Sequence, residues 1–95
     1  MSLSRFTIRV ELHRAAWDEY VQLAANLAAC NIKDILPLTD GSQWKMQPGM
    51  YHCWSDLSPE GVHGIVETCV APIGRQSAIL VSKSAGIFVS GESTP

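Results

Sequence analysis

"SRFTIRVELHRAAWDEY", Ser4 to Tyr20, changes its hydrophobic period partway through. From Phe6 to Leu12 the apolar residues Phe6, Ile8, Val10 and Leu12 alternate with Thr7, Arg9 and Glu11, the period-two pattern of a strand with one buried face. After His13 the spacing lengthens. Trp17, Tyr20, Val21, Ala24, Leu27 and Ala28 recur at three and four, which predicts an amphipathic helix over Ala15 to Cys30. Asn31 is expected to stop it, because a short amide side chain tolerates positive φ better than most.

Beyond this junction, "IKDILPLTDGSQWKMQPGMYHCWSD" has no helical stripe and is punctuated by Pro37, Asp40-Gly41 and Pro48-Gly49. It reads as a hairpin-rich region. Ile35 to Leu38 forms an edge strand, since Pro37 removes a backbone donor, and Asp40-Gly41 turns the chain back into Ser42 to Met46. Gly49 to Ser55 is a further strand. A second helix opens at Ser58, whose hydroxyl can cap it, with Pro59 in its first turn and Glu60 at the positive end of its dipole. Val62, Ile65, Val66, Cys69 and Val70 are its expected buried stripe, and Pro72 ends it. A strand near Ala78 to Ser82, a turn at Ser84 to Gly86 and a short strand near Ile87 to Ser90 follow, with 91–95 as a frayed tail.

This order of elements describes an α+β domain of split βαβ type over 1–95, an antiparallel sheet with two helices on one face and an extra C-terminal hairpin strand. The first strand is then central. Its Phe6, Ile8, Val10 and Leu12 meet the helices, and Thr7, Arg9, Glu11 and His13 look out from the open face.

Composition narrows the function classes without choosing one. With 46% apolar and 17% charged residues the 95-residue chain should fold around one modest core. A net charge of −2 provides no bulk attraction to nucleic acid or an anionic membrane, so such binding needs a local patch. The three cysteines, Cys30, Cys53 and Cys69, show no CxxC pair or metal-ligand spacing, which fits a reduced, cytoplasmic setting. No stretch approaches the roughly 18 continuous apolar residues of a membrane span. With no phosphate loop, metal motif or nucleophile arrangement, neither a cofactor nor a metal is expected.

The combination "RFTIRVELH", "LPLTDGSQWKMQPGMYHCW", "LSPEGV" and "AILVSKSAG" resembles the small prophage and bacterial proteins grouped with the GhoS-like endoribonuclease antitoxins of type V toxin-antitoxin systems. The resemblance runs along nearly the whole chain and rests on pattern, with no invariant active-site signature. It implies a ferredoxin-like fold, a homodimer and, in the best known case, cofactor-free cleavage of messenger RNA. His52 and Cys53 stand where those proteins favour other polar residues or tyrosine, and no catalytic residue transfers by motif.

Candidate site residues come from the chain itself. Metal-independent RNA cleavage needs a base for the 2′-hydroxyl, an acid for the leaving oxygen and a cation for the phosphorane. His13, Glu11 and Arg9 can fill those roles, since alternate strand residues share a face at about 6.5 to 7 Å. Arg5 and Arg14 extend a local basic patch. His52 and Tyr51, on a neighbouring strand with Trp54 close by, are candidates for RNA contact, since aromatic side chains on an open sheet can stack exposed bases. Tyr51 and Trp54 fall on opposite faces by parity, so one of them belongs to the core. Trp17, Trp44 and Trp54 are expected as packing anchors, Trp44 being the most exposed. Cys30 and Cys69, near apolar helical positions, read as inert hydrophobes. The competing reading treats the polar row as the wet side of a half-buried sheet. On that reading the open face or edge joins a second copy or another protein.

Overall fold

The computed structural model describes residues 3–38 and 40–84. Strand β1 (Ser4–Leu12) leads through a turn into helix α1 (Trp17–Ala28). Three strands follow: β2 (Ile35–Pro37), β3 (Gln43–Lys45) and β4 (Met50–Ser55). Helix α2 (Pro59–Val70), a 3-10 turn (Ala71–Ile73) and strand β5 (Ser77–Ser84) complete the described elements. The result is an α+β architecture with a three-stranded antiparallel sheet ordered β4-β1-β5 and a two-stranded sheet of β2 and β3. Because β4 and β5 both run antiparallel to β1, they are parallel to each other, and α2 connects them past the occupied middle position.

The period-two pattern of β1 sets the layers. Phe6, Ile8, Val10 and Leu12 are buried in one cluster with Leu23 and Leu27 of α1 and Val62, Val66, Cys69 and Val70 of α2. Both helices therefore lie on the same side of the sheet. Truncating a side chain as enclosed as Leu27 to alanine costs about 2–5 kcal/mol.

Several local contacts fix how the layers meet. The backbone amide of Leu12 donates to the Tyr20 hydroxyl at 2.9 Å, tying the end of β1 to α1 across the turn in which Arg14 takes φ 58°. Glu19 accepts two bonds from Arg75, at 2.8 and 2.9 Å, and joins the start of α1 to the approach to β5. The Ser58 hydroxyl accepts from the Gly61 amide at 3.2 Å and caps α2, as its spacing predicts. Asn31 stops the chain after α1 at φ 61°.

Some expectations shift. α1 spans Trp17–Ala28, shorter at each end than 15–30, because the chain from His13 leads in through a turn to the cap at Ala16 and leaves through a tighter turn at Cys30 and Asn31. Its buried line runs through Leu23 and Leu27, leaving Trp17 68% exposed and Val21 exposed. In α2, Ile65 lies at the edge of the expected stripe and is exposed, while the other four positions are buried. β5 is longer than the strand expected near Ala78 to Ser82. The hairpin strand near Ile87 to Ser90 and the tail at 91–95 lie outside the described residues. No helix among the described residues is long and apolar enough to cross a membrane.

Candidate functional site

The face of the sheet away from the helices is arranged in rows by strand register. Trp54, Arg5 and Ser84 form one row; His52, Thr7 and Ser82 the next; Met50, Arg9 and Leu80 a third. Glu11 stands beside Ala78 in a fourth row, past the paired end of β4. His13 follows in the turn, where its amide donates to the Gln76 carbonyl at 2.8 Å.

Arg9, Glu11 and His13 are all exposed, and Arg14 is exposed in the turn beside them. Among the described residues, none of the side chains of Arg9, Glu11 and His13 has a hydrogen-bond or ion-pair partner. Their common side of the sheet follows from the alternation of β1, and no neighbouring side chain holds them in a fixed mutual geometry.

Arg5 is positioned differently. Its guanidinium carbon lies 4.6 Å from the centre of the Trp54 ring, directly across the β1–β4 pair. That is cation–π range, with the guanidinium lying over the indole ring. Its Nε is shielded from solvent there without a hydrogen-bond acceptor among the described residues. Trp54 remains 54% exposed, so one aromatic surface is still presented outward. In the third row Leu80 is 59% exposed and Met50 half-buried, on either side of Arg9.

Two expected site residues are not displayed. Tyr51 is 2% exposed and belongs to the core on the helix side, where burial, with Asp34 nearby, pushes its phenol up to about 12. His52 has the open-face parity yet is only 5% exposed. The chain before β2 pairs with β4 through reciprocal backbone bonds between Lys33 and His52, at 2.9 and 2.8 Å. This brings the Ile35 carbonyl to 2.7 Å from His52 Nε2. That nitrogen must donate to the carbonyl, and Nδ1 is shielded from solvent without a hydrogen-bond partner among the described residues. Burial therefore removes both residues from the surface on which RNA contact is expected.

Trp54 takes the place expected of Tyr51. The parity of β4 shows that one of the two faces outward; the register with Arg5 makes it Trp54. Trp44, expected to be the most exposed tryptophan, is half-buried on β3, whereas Trp17 and Trp54 are exposed. Met50 and Leu80 carry no chemical signature in the sequence and become part of the face only through their alignment with Arg9.

Concave regions lie elsewhere, two of them beside β4. A cleft of about 200 Å³ between α1 and the chain entering β4 is walled by Trp17, Tyr20, Val21, Met46 and Tyr51, with Asp34 and Lys45 ion-paired at its side. A wider groove of about 510 Å³ runs along the outer edge of β4, between Trp54, Lys33, Pro37 and Gln43. Neither is lined by Arg9, Glu11 or His13. Among the described residues no group of three His, Cys, Asp or Glu side chains could hold a metal ion.

No protein-family model matches this chain, and no curated protein matches it.

Proposed function

We propose that the open sheet face binds single-stranded RNA, with the Arg5–Trp54 pair as its anchor. The observation that carries this reading is a tryptophan 54% exposed on a sheet face with a guanidinium stacked 4.6 Å from its ring centre. An indole held in that way offers a π-face to an unstacked base and a cation to the adjoining phosphate. Arg9 extends the cationic line one side of Thr7, and Arg14 marks its end. The placement of β1 between parallel β4 and β5, with α2 linking them, supports the ferredoxin-like reading of the fold. So does the resemblance of "RFTIRVELH" and its companion stretches to the GhoS-like proteins.

Binding accounts for the face better than cleavage does. General acid–base catalysis requires groups held close to the reacting atoms, and among the described residues Arg9, Glu11 and His13 have no partner that orients them. The exposed Leu80 and the Met50 beside Arg9 favour a second reading, a homodimer that buries the same face, or a protein partner there.

Anisotropy of a labelled, unstructured oligoribonucleotide tests the first reading. Loss of one stacked base, worth about 1–3 kcal/mol, should weaken binding of the Trp54→Ala variant by roughly 5- to 150-fold. An intact oligonucleotide after long incubation without metal supports binding alone. Cleavage by the wild type that His13→Ala abolishes would restore Arg9, Glu11 and His13 as a catalytic set. No binding, together with a dimer that Leu80→Asp dissociates in sedimentation, would replace the RNA reading with self-association.

A further inference from the structure

Cys30 and Cys69 are 39 positions apart in the chain, yet their Sγ atoms are 3.8 Å apart. Cys30 sits in the turn after α1, its amide donating to the Leu27 carbonyl at 2.9 Å, and is exposed. Cys69 lies in the last turn of α2 and is buried. The two helices are already stitched at this point. The Asn26 side-chain amide donates to the Cys69 carbonyl at 3.1 Å, and the Cys69 thiol points at the Asn26 carbonyl at 3.6 Å. A disulfide needs its sulfurs about 2.0 Å apart, so closure requires a combined shift of roughly 1.8 Å. Cys30 lies beyond the last residue of α1, in a turn bonded back to Leu27 and Ala28, so the shift falls to the two side chains and that short turn.

We propose that Cys30 and Cys69 form a redox-active thiol pair, which a hydroperoxide converts to an intramolecular disulfide. Exposure assigns the roles. The Cys30 thiol gives its proton to solvent and its sulfur attacks the peroxide; a sulfur–oxygen bond forms as the O–O bond breaks, and the departing hydroxide or alkoxide takes up a proton from solvent to leave as water or an alcohol. Cys69 then attacks the resulting sulfenic sulfur. The S–S bond forms as the S–O bond breaks, and the departing hydroxyl takes the Cys69 proton to leave as water. Overall two thiols lose two hydrogens to one peroxide. Burial and the neighbouring Cys30 thiol push Cys69 up to about 11, which suits it to follow the exposed thiol rather than precede it. Cys53, buried on β4 across from Phe6, has no sulfur partner among the described residues and stays reduced.

The test uses the reduced full chain, treated with a small excess of hydrogen peroxide and quenched with an alkylating reagent. Free thiols should fall from three to one, the monomer should lose two hydrogens in mass, and a non-reduced digest should contain a peptide joining Cys30 to Cys69. The melting temperature should rise by about 10 °C and return on reduction, because the link closes a long loop in the unfolded chain. Cys30→Ser, altered only at an exposed position, should lose neither hydrogens nor its remaining thiols at the same dose. Stable sulfinic acid at Cys30 in the wild type, or a crosslink confined to dimers, would overturn the proposal. So would loss of the Cys53 thiol at the same rate as that of Cys30.

Discussion

Gly49 shows how one missing side chain sets the sheet. It precedes β4 at φ 86°, its carbonyl accepts from the Val10 amide at 2.7 Å, and a Cβ placed on it would lie 2.5 Å from the Val10 carbonyl oxygen. Val10 is held in the β1–β5 pairing and Gly49 is bonded to its amide, so neither backbone can yield cheaply. Gly49→Ala should therefore cost roughly 2–4 kcal/mol, the left-handed penalty plus the clash, read as a lower denaturation midpoint at unchanged slope. Tyr51 makes a different prediction. Its phenol ordinarily ionises near 10.0 and in the fold near 12, chiefly because it is buried. Between those values the unfolded chain has lost a proton that the folded chain keeps, so stability falls as pH rises through that window and is unaffected below it. Tyr51→Phe should flatten the decline; a denaturation series across the window that is as steep in the variant as in the wild type would remove Tyr51 as its source.

At the scale of elements, the join between α1 and β5 depends on charge. Arg75 beside Glu19 holds that carboxyl below its usual range, first through their hydrogen bonds and then through the bond from the Ala16 amide. A lowered carboxyl contributes stability that is complete above its unfolded value and is lost as pH falls through the folded one. The acid side of the stability profile should accordingly be shallower in Glu19→Gln than in the wild type, with the two curves differing least at the lowest pH. Such local devices were legible in the sequence alone. The change of period at His13, the stop at Asn31, the cap at Ser58 and the turn at Asp40-Gly41 all follow from nearest neighbours along the chain. Placement across elements was not. α1 carries more apolar positions than it buries, and its packing against β1 and α2 encloses Leu23 with Leu27 while leaving Trp17 and Val21 outside. His52 is hidden by a backbone pairing with Lys33, and Trp54 is exposed with Arg5 against it; both depend on where the chain before β2 meets β4. The approach of Cys30 to Cys69 is of the same kind, since helical position shows that each cysteine is near the core but not that they touch.

For the whole molecule the decisive quantity is the mismatch between its net charge and its open face. The chain carries a formal −2, while Arg5 and Arg9 lie on the face with Glu11 as its acidic residue, and Arg14 stands at its end. At physiological salt, fields fade over about 8 Å, so a bound strand would sense the face more than the total. Association should then lack the long-range steering of a basic protein, and its electrostatic part should be small and local. Each phosphate neutralised by a side chain contributes a slope of about −0.7 to log K against log salt for a single strand. Three arginines in contact would produce a slope of roughly −2, and Arg9→Ala should make it shallower by about 0.7 while leaving the oligonucleotide's base preference unchanged. Trp54→Ala should do the reverse, lowering affinity at every salt concentration with the slope intact, because stacking releases no counterions. A titration across salt on these two variants separates the charged and aromatic halves of the face. Equal slopes in the wild type and Arg9→Ala would place the phosphates away from β1, and the proposed RNA surface with them.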